Sequence, residues 1–363
     1  MFKPYSTVCG SFDQRLATLR SVGEHASDDE LRLLLKEKTA PICYGISMTI
    51  NDNKLVKAGC EVKMLMADWF ALMDPKIGGN ICKVQTIGRY NIEMLRASGM
   101  NLDGVEFVQL SDLISCHAEE YWPVAMDIAK NSNLSEIKRC FSIHASEDAS
   151  SDLGSTNPFM MRKFTPADTL YPCLQSAVLL LPEVDIWMLG MDQRGANMLA
   201  REYCDLMQLE NEQIALFQNM PPAFLQDPEW EQWGNLKWPI FMEDDEEHVS
   251  RKIENSFCPP KFAEDNPCLE YIKYIILPWF RKFEVARMDD NSCSKIFLSM
   301  EEIIADYQSG ALHPADLKVA LIKATNLILQ PVRDHFRSSA EAKEIAKAME
   351  SCFSIKYICI ETN

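Results

Sequence analysis

Tyr171 and Gln175 lie one helical turn apart in the run YPCLQSAVLLL. A phenol and an amide can satisfy the hydrogen bonds of a bound molecule without adding buried charge. By spacing alone the pair reads as one face of a helix. Asp192 and Gln193 follow Gly190, where an apolar run gives way to a helical stretch. Tyr44 stands just before Gly45, at the end of another short apolar run. His313-Pro314-Ala315-Asp316 reads as a helix start, with Pro at the first position and an acid in the first turn. The 13 cysteines include no Cys-x-x-Cys pair and the 6 histidines are dispersed. They read as reduced thiols and scattered rings, with no metal site and no disulfide framework.

The elements that must position these residues follow from apolar patterning. Short apolar runs at 61–68, 105–110 and 184–189 predict buried strands. After Gly190, Ala196, Leu199, Ala200 and Tyr203 recur at helical spacing. Strands alternating with helices imply βαβ units and a mainly parallel sheet. Beyond Pro259-Pro260 the pattern is almost purely helical. Leu269, Ile272, Ile275, Ile276 and Trp279 mark one helix. Leu317, Ala320, Leu321, Ala324, Leu327 and Ile328 mark another, expected to end at Pro331. The acidic run at 242–247 reads as a solvated helix start. The fold class is thus α/β, a Rossmann-like parallel-sheet domain over 1–260 followed by an α-helical domain over 261–363.

With 36 Lys plus Arg against 53 Asp plus Glu, the net charge is −17. That argues against non-specific nucleic-acid binding, DNA included, because phosphate attraction needs basic surface. A structured RNA could still meet a local basic face. No apolar run approaches the roughly 20 residues of a membrane helix. The first residues lack the pattern of a secretory signal, so the expected compartment is the cytoplasm.

Nine collinear stretches resemble the archaeal and eukaryotic cytosolic tyrosyl-tRNA synthetases, and the plant cytosolic enzymes most. They are LRSVGE (19–24), ADWFA (67–71), YPCLQSA (171–177), LGMDQR (189–194) and NMLAREYC (197–204), then IFMEDDEEHVSRKI (240–253), NPCLEYIKYIILPWF (266–280), LHPADLK (312–318) and LQPVRDHF (329–336). The resemblance implies a class I Rossmann domain, a helical anticodon-binding domain and a dimer, with a dimer-interface insertion at about 110–150. It implies ATP, tyrosine and tRNA(Tyr) as substrates. It places tyrosine against Tyr44, Tyr171, Gln175, Asp192 and Gln193, and the first anticodon base near His313 and Asp316. The segment 121–139 would lie at the surface shared with a second subunit, either another copy or a catalytic homologue.

Three departures from the family pattern bear on catalysis. Tyr44 runs into GISMTINDNK, without the proline, second glycine and histidine that cradle ATP phosphates in the family. This shortening predicts loss of a strand-to-helix turn and part of the first helix. Where the family has a lysine-rich clamp for pyrophosphate, residues 224–239 read FLQDPEWEQWGNLKWP, with Lys237 as the lysine. The aspartate that the family places three residues after the pocket glutamine is Val178 here, which lowers the expected selectivity for tyrosine. These losses count against ATP binding, and no catalytic residue is assigned. The resulting expectation is a non-catalytic paralogue that contacts tRNA or pairs with an active synthetase. A tyrosine sensor and an aberrantly spliced product of an active gene are the alternatives. The aromatic that the family often places upstream of the anticodon aspartate would fall near Asn291.

Overall fold

The structure is a computed structural model that describes residues 10–25, 28–45, 49–73, 79–142, 165–181, 184–209, 213–218, 240–286 and 294–352. Residues 46–48, 143–150, the stretch 224–239 with Lys237, and Asn291 lie outside the described residues.

Packing divides the chain into two compact units, Met1–Gly88 with Asn101–Asn219, and Arg89–Met100 with Met220–Asn363. The sequence pattern changes near Pro259, but the packing changes earlier. The helix Glu246–Glu254 buries Val249 and Ile253 completely in the core of the second unit.

The first unit holds a six-stranded sheet among the described residues, in the order β1-β6-β5-β2-β3-β4. The strands are β1 (Gly23–His25), β2 (Ile42–Gly45), β3 (Glu61–Met66), β4 (Val105–Gln109), β5 (Ile186–Gly190) and β6 (Ile214–Gln218). All pairings are parallel except β1 on β6. Strands buried on both faces read as continuous apolar runs, as IWMLG of β5 and IALFQ of β6 do. The edge strand β1 lies so close to β6 that a Cβ on Gly23 would fall 2.1 Å from the Phe217 carbonyl oxygen.

The chain winds from β2 through β3 to β4 on one side, while β5 and β6 extend the other side. The strand order therefore switches between β2 and β5, and ligands of open α/β sheets bind outside the carboxyl ends of strands at such a point. The β2–β3 crossover holds a helix, Thr49–Lys57.

In the second unit, β7 (Phe283–Val285) and β8 (Lys295–Phe297) form an antiparallel pair. Their inner residues pack with helices whose core includes Leu269, Ile303, Leu317 and Leu321. The helix marked by Leu269 to Trp279 is interrupted by a π-turn at Ile272–Ile276. The helix Pro314–Ser338 continues through Pro331, contrary to the expected stop. Pro331 is exposed while Val332 and Leu329 are buried. The lost hydrogen bond falls on the wet side of the helix, and burial on the other side holds the backbone helical. The acidic run is less solvated than expected. Asp245 caps the Glu246–Glu254 helix through His248 N at 2.8 Å, but Asp244 pairs with the buried Lys252 at 2.6 Å.

Candidate functional site

Strand register places Tyr44 opposite Trp187 and Gly45 opposite Met188, setting the carboxyl end of β2 against the first half of β5. Tyr44 is 3% exposed, and its ring centroid lies 5.5 Å from that of Trp187. The indole is fixed in turn, because Trp187 Nε1 donates to the Leu179 carbonyl at 3.0 Å. The strand starts are tied by Asp185, whose carboxylate accepts from Ile42 N at 2.8 Å and pairs with Lys38 at 2.5 Å. Lys63 of β3 reaches over the Tyr44 ring, with Nζ 5.8 Å from the centroid. Burial pulls its pKa down, but Tyr44, Glu106 and Glu61 outweigh that, and the net shift is upward. The signal for Lys63 was a lone cation inside the apolar strand EVKMLM.

The helix Pro166–Leu179 carries the next three residues. It starts at a capping box in which Thr165 and Asp168 satisfy each other's backbone amides. Every side chain from Pro172 to Leu179 is buried. Spacing alone read Tyr171 and Gln175 as a helix face, and that face looks into the core. The Tyr171 ring meets Phe70 edge-on at 5.2 Å, and Phe70 packs against the core that holds Tyr44, Leu174, Val178 and Trp187. Gln175 is 8% exposed, and no hydrogen bond joins its side-chain amide to another described residue. Val178 is 2% exposed and adds apolar wall where a carboxylate would have offered an acceptor. Ser176 Oγ lies 2.7 Å from the Pro172 carbonyl and 2.8 Å from that of Ala196, bracing this helix on Arg194–Met207.

The Asp192-Gln193 pair is divided. Gln193 Oε1 accepts from Gly190 N at 2.9 Å, so this amide closes the turn at the end of β5. Asp192 is exposed, and its carboxylate folds so close that a Cβ on Gly190 would sit 2.3 Å from Oδ1. A side chain at 190 would displace only the exposed Asp192 carboxylate, and the backbone angles of φ −73° and ψ 159° are open to any residue.

Tyr44, Trp187 and Val178 share one core with Phe70 packed against it, Tyr171 meets Phe70, and Gln175 stands one turn further along the same helix. Aromatic walls with a phenol and an amide nearby suit a flat ring with a polar head. Phe70 and Trp187 were not singled out from sequence as site residues, although ADWFA already carried Phe70.

His313 and Asp316 lie in the second unit, apart from that set. His313 caps the helix Pro314–Ser338, its Nδ1 accepting from Ala315 N at 3.2 Å. Asp316 lines a shallow cleft with Lys295, Phe297, Asp306 and Leu312, holding about 230 Å³ of space that is partly open to solvent. Lys295 Nζ pairs with Asp306 at 2.5 Å and lies 4.8 Å from the Phe297 ring centroid. No group of three or more His, Cys, Asp or Glu among the described residues could hold a metal ion. Nor is any described helix long and apolar enough to cross a membrane.

Fold and register define a Rossmann-like α/β domain joined in sequence to a helical unit. The family model described as tRNA synthetases class I (W and Y) matches residues 39–330. Tyrosine–tRNA ligase 1, cytoplasmic, of Arabidopsis thaliana is 43% identical over 93% of this chain and 89% of its own length. Tyrosine–tRNA ligase 2, cytoplasmic, of the same plant is also 43% identical, over 93% of this chain but 46% of its own. The tyrosyl-tRNA synthetase of Leishmania major, solved with tyrosinol, superposes with a TM-score of 0.78 at 32% identity. That match covers 96% of this chain and 54% of the parasite's, so the chain spans about half the length of these last two relatives. The chain belongs to the class I tRNA synthetases of the W and Y type, within the tyrosyl-tRNA synthetase family.

Proposed function

We propose that this chain binds an aromatic amino acid, tyrosine foremost, at the ends of β2 and β5, and a tRNA at the start of the helix Pro314–Ser338, without forming the aminoacyl-adenylate. The observation that carries the first part is the aromatic set of Tyr44 on Trp187 and Phe70 on Tyr171, with Gln175 one turn beyond Tyr171 on the same buried helix. The ring stacks among those walls. Gln175 and the two phenols serve the ammonium and carboxylate, and exposed Asp192 offers the ammonium an opposite charge. Val178 leaves the ring's far end without a partner for a hydroxyl, so discrimination against phenylalanine is weak.

The sequence supports the absence of chemistry. The stretch after Tyr44 lacks a second glycine, a proline and a histidine, and Lys237 is the lysine of 224–239. Each missing donor of this kind costs about 10²–10³ in rate. ATP is the family's substrate, but the groups that would hold its phosphates are replaced. The relatives' printed names support a cytoplasmic location and tRNA(Tyr) as the RNA. Exposed Trp122, Met126 and Leu134 on the helices Ala118–Asn131 and Leu134–Ser142 support pairing with a second copy or a synthetase subunit.

ATP–pyrophosphate exchange with tyrosine, run beside calorimetric titrations with tyrosine and phenylalanine, tests this reading. Exchange at the level of a buffer blank, with both amino acids bound at comparable affinity, is expected. Exchange well above the blank would overturn the loss of catalysis, and no binding of either amino acid would overturn the site.

A further inference from the structure

Three elements build the cleft that Asp316 lines. The helix Met300–Ser309 ends at Gly310, whose φ of +85° lies in the left-handed region, and Leu312 N returns to the Asp306 carbonyl at 3.0 Å. That fold-back sets the last turn of one helix, with Asp306, beside the first turn of the next, with Asp316. β8 supplies the third side, with Lys295 in register with Val285. Val285, Phe297 and Leu312 are at most 4% exposed and form an apolar floor, while Lys295, Asp306 and Asp316 form the rim.

The charges on this rim are not equivalent. Lys295 Nζ pairs with Asp306 at 2.5 Å and lies 4.8 Å from the Phe297 ring centroid, so two neighbours hold it in place. The pair engages one of three ammonium protons and leaves two to donate. The Asp306 charge is thereby met, but no hydrogen bond or ion pair joins the Asp316 carboxylate to another described residue. One wall thus offers two N–H donors and another offers an unengaged carboxylate.

That set complements one nucleobase. Guanine has acceptors at O6 and N7, where lysine makes a recurrent specific contact, and donors at N1 and the N2 amino group. An unpaired base in an RNA loop exposes both edges at once. Adenine would turn an amino group toward the ammonium and has no N1 proton for the carboxylate. The pyrimidines have no N7. Beside the cleft wall, the exposed Lys261 side chain lies against Gly310, where a Cβ would fall 2.7 Å from its Cε and 3.4 Å from its Nζ. Lys261 pairs with no carboxylate among the described residues, which leaves a cation for the backbone phosphate of a base entering the cleft.

We propose that Lys295, positioned by Asp306, reads the O6 and N7 edge of an unpaired guanine whose N1 and N2 protons go to Asp316. This rests on the tRNA reading above and adds to it a second specificity residue, from a different element. The recognition belongs to the cleft and not to the helix start, because the His313 ring is already engaged by Ala315 N at 3.2 Å.

The test uses the full chain and tRNA(Tyr) carrying guanine, adenine, 7-deazaguanine or inosine at the first anticodon position, with affinities compared at one salt concentration. 7-Deazaguanine lacks the N7 acceptor and inosine lacks the N2 amino group, so each probes one wall. Relative to guanine, each should weaken binding by about 10-fold, and adenine by about 100-fold. Lys295→Met should abolish the 7-deazaguanine penalty and keep the inosine penalty, and Asp316→Asn should do the reverse. Asp306→Asn releases the ammonium and should shrink the 7-deazaguanine penalty alone. Each variant is its own reference, so a loss of stability scales all four affinities together and leaves their ratios unchanged. Equal binding of guanine and 7-deazaguanine, or a 7-deazaguanine penalty that survives Lys295→Met, would overturn the proposal and leave the tRNA reading in place. Equal binding of guanine and adenine by the unaltered chain would overturn both.

Discussion

The two units use polar residues in opposite ways. In the first, Gln175 lies in the buried stretch Pro172–Leu179 of its helix, and no hydrogen bond joins its amide to another described residue. In the second, His313 and Asp316 open a helix, and the His313 ring already accepts from Ala315 N. A hydrogen bond made within the chain is accounted for by folding alone. An amide with none keeps its donors and acceptor available to a bound molecule. The contrast gives the strand ends a stronger claim to a ligand than the helix start, even though the resemblance assigned roles to both.

The sharpest way to break that contrast is to remove the wall on which the site is built. Trp187→Ala deletes a 4%-exposed indole that supports Tyr44 and bonds to Leu179. It should cost about 3–5 kcal/mol in chemical denaturation, and amino-acid binding should be lost with it. Val178→Asp sharpens the contrast by adding the missing acceptor. The ratio of tyrosine to phenylalanine affinity should rise by about 10-fold or more in calorimetry, with a stability loss of about 2 kcal/mol from the buried carboxyl.

The second unit is probed through Glu93, which is buried and bonded to His335 at 2.8 Å and to Arg96. Burial pushes its pKa up, but the bonds from His335 and Arg96 win and hold it below the ordinary carboxylate value. A folded pKa below the unfolded one contributes stability that is present above about pH 4.5 and lost as pH falls through the folded value. Glu93→Gln should therefore flatten the acid limb of a melting-temperature profile below that pH, at a cost of about 1 kcal/mol near neutrality. His313→Ala should have the smallest effect, about 1 kcal/mol or less from the lost cap, with amino-acid binding unchanged.

IWMLG was legible because both faces of that strand are buried, while EVKMLM and the edge strand VEFVQ showed as short apolar runs despite partial exposure. The stripe of Ala196, Leu199, Ala200 and Tyr203 did the same for its helix. The edge strand β1 was not, because GEH is three residues long and only half apolar in setting. Pro331 misled for a local reason: a proline rule knows the missing amide but not which side of the helix is wet. Sequence pattern and packing divide the chain at different places, because composition registers where strands stop, whereas packing registers which core buries Val249 and Ile253. At the candidate site the residue types were readable, but not their use. Nothing in LGMDQR says that Gln193 turns back on Gly190 while Asp192 faces solvent.

The close approach of β1 has a consequence for the life of the protein outside its folded state. Gly23 allows three residues to shield the open side of β6, whose sequence IALFQ is uncharged and apolar up to Gln218. Any side chain there would force β1 away from the Phe217 carbonyl and leave a row of unpaired backbone groups beside that strand. Such an edge is a template for pairing with another chain. A single added methyl group would then be read out less as lost affinity than as insoluble protein.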